Sequence, residues 1–155
     1  MSEITVRKIK ESDLTVLANF MRRLNEYEGL GDKCIISEEA YCEMIFEEKC
    51  LHGLIAEDNG KAVGAALYYF YRISSLAGKK VLYLEELFVS PEERKKGVGR
   101  RLFEEIKKSA KEENALRIEW KCLKDNLSAL AFYDKICERQ NGSDWISYEI
   151  YFNKF

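Results

Sequence analysis

"LYLEELFVSPEERKKGVGRRLFEEI", residues 82–106, changes its periodicity midway. The first part ends the apolar run "KKVLYLEELFV", residues 79–89, which reads as a long strand. Ser90-Pro91 turns the chain, because a residue before proline is kept out of helical geometry. Beyond the turn, Leu102, Phe103, Ile106 and Ala110 recur at helical spacing. The stretch is therefore strand, basic glycine turn, helix.

The turn gathers Arg94, Lys95, Lys96, Arg100 and Arg101 around Gly97 and Gly99, in a chain of net charge −2. The glycines permit a tight bend and let backbone amides approach a ligand. Position 99 opens a helix, whose first-turn N–H groups are unpaired and carry the positive end of the helix dipole. Such a turn suits a phosphate or pyrophosphate. A dinucleotide fingerprint fits less well, since Leu102 stands where the third glycine belongs; a phosphate loop of the ATPase kind fails, since no Lys-Ser or Lys-Thr follows. On local features alone a solvated turn with incidental charge, a nucleic-acid surface and a localisation tag remain open beside the anion site.

Outward from this stretch, 155 residues with 46% hydrophobic and 34% charged side chains suit a single soluble domain, residues 1–155, with a core of its own. The slight negative charge argues against general nucleic-acid affinity. Five cysteines match no zinc or CxxC spacing and are expected reduced, in a cytoplasmic setting. Neither a secretory leader nor a membrane span is expected. No ligand cluster calls for a metal.

The elements follow in turn. "ITVRKI" alternates as a strand over 4–9; Ser12 or Asp13 caps a helix with Leu14, Leu17, Phe20, Met21 and Leu24 on one face, broken at Gly29 and Gly31. Ser37 caps a second helix. "LHGLIAEDNGKAVGAALYYFYRI" is a hairpin turned at Asp58-Asn59-Gly60. After the long strand and its helix come a strand in "ALRIEWKC", a helix in "LSALAFYDKI" and a closing strand "WISYEIYF", with room for a short strand near Arg139–Gly142. The order β-α-α-β-β-β-α-β-α-β predicts an α/β fold, a mixed central sheet with flanking helices.

The opening stretch resembles the central motif of the GNAT superfamily of N-acetyltransferases, a strand leading into an R/Q-x-x-G-x-G/A turn and a helix, with Arg94, Gly97 and Gly99 at the motif positions. "NLSALAFYDKI" resembles the family's later Asn…Ala…Phe-Tyr segment, and the element order agrees with that fold. "NEYE", "ALYYF", "GKKVLYLEELFV" and "AFYDKI" look like the diamine, spermidine and spermine branch, which also includes enzymes for thialysine-like amino acids. The usual glycine after the Tyr-bearing helix is absent, the chain reading "YDKICERQNG", with Gly142 a late substitute.

The resemblance implies a cytoplasmic acetyl-CoA-dependent N-acetyltransferase, commonly a homodimer, acting on a small-molecule amine without nucleic-acid or membrane partners. Backbone groups of Leu87, Phe88 and Val89 would run along the pantetheine arm. The turn of Arg94, Lys95, Lys96, Gly97, Val98, Gly99 and Arg100 would hold the pyrophosphate, Asn126 and Tyr133 would meet the cofactor, and Arg101 or Lys135 would add charge. Tyr133 would act as general acid and Glu85 as base, through water. Glu85 and Glu86, adjacent on a strand, are expected on opposite faces, with Glu86 the fallback. Tyr27 and Glu28 would form part of the acceptor wall, where residues 26–48 hold eight acidic residues and one basic one. That balance favours a diamine or polyamine, with a thialysine-like amino acid second and a non-catalytic acyl-CoA sensor third. The lone histidine, His52, is expected to be structural.

Overall fold

The structure, a computed structural model, describes residues 3–31, 35–140 and 144–152. Two compact units divide the chain, Met1–Lys121 and Cys122–Phe155.

The first unit is built on a five-stranded sheet in the order β1 (Ile4–Lys8), β2 (His52–Asp58), β3 (Lys61–Ile73), β4 (Lys79–Val89) and β5 (Ile118–Glu119). The first three pairings are antiparallel and the last is parallel, so the sheet is mixed, as the sequence predicts. A tight turn joins β2 to β3: Asn59 and Gly60 both take positive φ, 49° and 79°, which matches the twist of a hairpin. The parallel pair needs a crossover, and helix α3 (Val98–Glu112) supplies it.

Alternation along β3 assigns the two faces. Ala65 and Leu67 join one apolar cluster with Leu17, Phe20 and Leu24 of α1 (Leu14–Tyr27), Tyr41 of α2 (Glu38–Cys42) and Phe88 of β4. On the opposite face the Tyr68 hydroxyl donates to Ser109 Oγ of α3 at 3.1 Å. Gly64 shares that face. A Cβ there would stand 2.7 Å from the Phe88 carbonyl oxygen and 3.3 Å from Val98, so the missing side chain lets the start of α3 lie against the sheet.

Three sequence expectations need correction. Asp13 does not cap α1; its carboxylate turns back to accept from the Lys10 N–H at 2.7 Å and from Arg7 at 2.7 and 2.9 Å. Glu57 takes the other side of Arg7 at 2.6 Å, so one guanidinium ties β1, β2 and the entry to α1. The strand in "ALRIEWKC" shrinks to Ile118–Glu119, since β5 follows β4 at only two positions. "WISYEIYF" forms no strand: residues 144–152 are in neither helix nor strand and are exposed, Trp145 at 87% and Phe152 at 92%. Alternation alone does not make a strand, because a ladder partner is also required, and the described residues of Cys122–Phe155 contain only the helix α4 (Leu127–Tyr133). Of the optional strand near 139–142, Arg139 and Gln140 are not in a strand, and the remainder lies outside the described residues. Among the described residues no helix is long and apolar enough to cross a membrane.

The Arg7 guanidinium, by hydrogen bonding, holds the Asp13 carboxyl below its ordinary value of 3.8. A lowered carboxyl stabilises the fold above its unfolded pKa and loses that contribution as pH falls through the folded value. Arg7→Met leaves Asp13 buried without its cation. The expected loss is about 2 kcal/mol, or roughly 4–8 °C in Tm at pH 7, shrinking below pH 3.8, as thermal melts followed by circular dichroism would show.

Candidate active site

Two features of the first unit converge on β4. The first is its outer edge. β5 pairs with β4 at Leu82–Ile118 and Tyr83–Glu119 and not beyond, so from Leu84 to Val89 that edge is unpaired with β5. Leu87, Phe88 and Val89, the expected pantetheine-facing residues, lie on this stretch.

The turn follows directly. Ser90 keeps one more bond to the sheet, its N–H donating to Val63 O at 2.9 Å, before Pro91–Glu93 make a single 3-10 turn. Lys95 and Gly97 then take positive φ, 63° and 88°, and Val98 begins α3. The first bond inside the helix runs from the Arg101 N–H to Gly97 O at 3.0 Å. The N–H groups of Val98, Gly99 and Arg100 precede it, and Gly97 has no side chain to cap them. Lys95, Arg100 and Arg101 are exposed beside these amides, whereas Lys96 is paired with Glu93 at 2.7 Å. Arg94 points away: its Nε donates to Val89 O at 3.3 Å and its guanidinium lies 5.3 Å from the centre of the Tyr27 ring.

The second feature is a bulge. Leu67 pairs with Glu86 and Tyr68 with Leu84, so Glu85 is passed over in the ladder. The extra residue breaks the alternation that would send Glu85 and Glu86 to opposite faces. Both carboxylates act electrostatically on the phenol of Tyr41, and Glu85 acts on Glu86. Burial and these two charges push the Tyr41 hydroxyl up to about 12. Glu85 itself is exposed.

Glu86 is the distinctive member. Burial first, then the charges of Glu28 and Glu85, raise its carboxyl to about 7. Glu28, one residue past α1, is half-buried and raised by desolvation. Among the described residues none of these three carboxylates takes part in a salt bridge. Tyr69 and Tyr83, paired across the strands with ring centres 5.3 Å apart, are both raised by burial and by Glu85. Tyr27 is exposed at the mouth of this wall. Sequence reasoning missed Tyr41, Tyr69 and Tyr83; the cross-strand position of "YY" in "ALYYF" was the available signal.

In the second unit Asn126 caps α4, its side-chain oxygen accepting from the Ala129 N–H at 3.2 Å. Tyr133, half-buried, ends that helix with its ring 5.4 Å from Phe132, and Lys135 is exposed just beyond. His52 stacks on Tyr68 at 5.2 Å, in keeping with a structural role. Two shallow cavities of about 320 and 410 Å³ open elsewhere, along Lys80 and Glu113, and no predicted site residue lines them. No group of three or more metal-ligating side chains occurs among the described residues.

Residues 18–138 match the model of the acetyltransferase (GNAT) family. The chain is 30% identical to thialysine N-epsilon-acetyltransferase of Sus scrofa, over 90% of this chain and 86% of that protein. It is 31% identical to the enzyme of the same name from Bos taurus, over 86% and 82%. A solved structure described as a probable acetyltransferase superposes with a TM-score of 0.79 at 22% identity, covering 97% of this chain and 99% of that one. The fold is thus a known one, and the chain belongs to the acetyltransferase (GNAT) family. It is an acetyl-CoA-dependent N-acetyltransferase.

Gly97 has open space around its Cβ position, so only its backbone angle resists a side chain. Gly97→Ala should fold normally yet bind coenzyme A about tenfold more weakly, because the left-handed angle now carries a strain of about 1–2 kcal/mol. Isothermal titration with coenzyme A measures this.

Proposed function

We propose that this enzyme acetylates the side-chain amine of a small lysine-like acceptor of the thialysine type. The observation that carries the proposal is the wall of Glu28, Glu85 and Glu86, three carboxylates without a salt bridge among the described residues, faced by tyrosines. Such a wall attracts a slender cationic chain and offers its alkyl part aromatic contact. The names of the mammalian relatives support thialysine ahead of the diamine or polyamine that acidic composition alone put first. The acidic wall still suits a polyamine, which is the second reading.

The amine arrives protonated, with an ordinary pKa near 10.4. A carboxylate whose pKa sits near neutrality accepts a proton at working pH better than an ordinary one. Glu86 meets that condition, so in this reading it takes the amine proton, directly or through water, and exposed Glu85 draws the cation in. The neutral nitrogen attacks the thioester carbonyl in the ternary complex, forming the C–N bond as the C–S bond breaks. Tyr133 gives its phenolic proton to the departing sulfur, and the second proton shed by the new amide nitrogen passes through water to restore the Tyr133 phenol. Amides of Val98, Gly99 and Arg100 bind the pyrophosphate with help from Arg101, and the resemblance assigns Asn126 and Lys135 to the cofactor as well. The homodimer implied by the resemblance belongs to the same reading.

Thiol release from acetyl-CoA with thialysine, lysine, putrescine, spermidine and spermine is the direct test, with product masses. Thialysine is expected to be the best acceptor, and Tyr133→Phe to lower its kcat about a hundredfold. A preference for spermidine or spermine would transfer the assignment to the second reading. Cofactor binding with no turnover on any amine would remove both.

A further inference from the structure

The five cations of the glycine turn are not equivalent. Four of them, Lys95, Lys96, Arg100 and Arg101, lie beside the helix N-terminus or its approach, but Arg94 reaches back across the end of β4. Its Nε is fixed on the Val89 carbonyl at 3.3 Å, and its guanidinium stands 5.3 Å from the centre of the Tyr27 ring. Tyr27 is the last residue of α1 and is 52% exposed. Glu28 follows at once, and Gly29 and Gly31 with positive φ come next, so the chain leaves the helix here. A guanidinium over an aromatic face is a directional contact that an ammonium reproduces poorly.

We propose that Arg94 is a positioning residue that links occupation of the coenzyme A turn to ordering of the acceptor wall at Tyr27–Glu28, and that its guanidinium is not itself a phosphate ligand. The turn between Arg94 and Arg100 closes on a pyrophosphate through its backbone amides. Closing fixes the direction in which Arg94 leaves the chain, and Arg94 in turn fixes the Tyr27 ring. Glu28, next in sequence, is then held beside Glu86. The cofactor thereby prepares the acceptor site before an amine arrives, and by linkage a bound amine tightens the cofactor to the same degree. The functional meaning of the wall rests on the function proposed above, but the coupling itself does not depend on which amine is used.

Hydrogen–deuterium exchange with coenzyme A alone tests this on the wild type, Arg94→Gln and Tyr27→Leu. Gln is the other residue the turn motif admits at this position. In the wild type, saturating coenzyme A should slow exchange at residues 97–101 and also, by about two- to fivefold, at residues 25–30. Both variants should keep the protection at 97–101 and lose it at 25–30. If Arg94→Gln loses protection throughout the turn, Arg94 is a phosphate ligand and the proposal fails. It fails equally if residues 25–30 do not respond in the wild type, or respond unchanged in the variants. Should Arg94→Gln not fold, Tyr27→Leu decides alone by the same criterion. A flat amine panel beside a positive exchange result would discard the thialysine function and leave the coupling standing.

Discussion

A backbone amide or carbonyl that leaves its ladder must find another partner, and β4 departs from regular pairing on both edges. On one side β5 parts from it after Tyr83; on the other the bulge at Glu85 skips a pairing with β3. The first departure leaves main-chain groups of Leu84–Val89 unpaired with β5, which suits a cofactor carrying amides of its own. The second breaks the alternation of β4 at Glu85 and Glu86, whose charges both act on Tyr41. The two irregularities lie on the same few residues of β4; in the proposed reading, donor and acceptor edges therefore meet on one strand.

The surroundings keep that strand in place. Gly64 allows α3 to start against the sheet, which sets its uncapped N-terminus just past the end of β4. On the other face Phe88 stacks near Phe20 at 4.9 Å and shares a cluster with Leu67 and Tyr41. Glu86 pairs with Leu67 and precedes Phe88 by two residues, both members of the apolar cluster, and among the described residues it forms no salt bridge. That contrast raises its pKa to about 7. A burial cost normally avoided is retained here, as is common where a side chain must exchange a proton.

Much of this was legible in the sequence, for reasons that can be located. Strand-to-helix periodicity across residues 79–110, the Asn59-Gly60 turn and the Ser37 cap are local signals, and each gave its element. The glycine turn was legible as a turn because φ preference acts over a few residues, and Lys95 and Gly97 take positive φ just ahead of α3. The bulge was not, since strand alternation assumes regular pairing and only the partner strand shows where it is skipped. Asp13 had the residue type and position of a cap, yet the Arg7 guanidinium of β1 competed for its oxygens. "WISYEIYF" has the pattern of a strand, but pairing is a long-range property that no pattern supplies.

The pH dependence of kcat/KM for the preferred amine, in the wild type, Glu86→Gln and Glu85→Gln, tests the central role of Glu86 most directly. If Glu86 must be ionised to take the amine's proton, log kcat/KM should bend near pH 7 and fall more steeply below it. The bend should vanish in Glu86→Gln and persist in Glu85→Gln. A bend that survives Glu86→Gln, or that disappears with Glu85 instead, would contradict the assignment and place the proton on the exposed carboxylate.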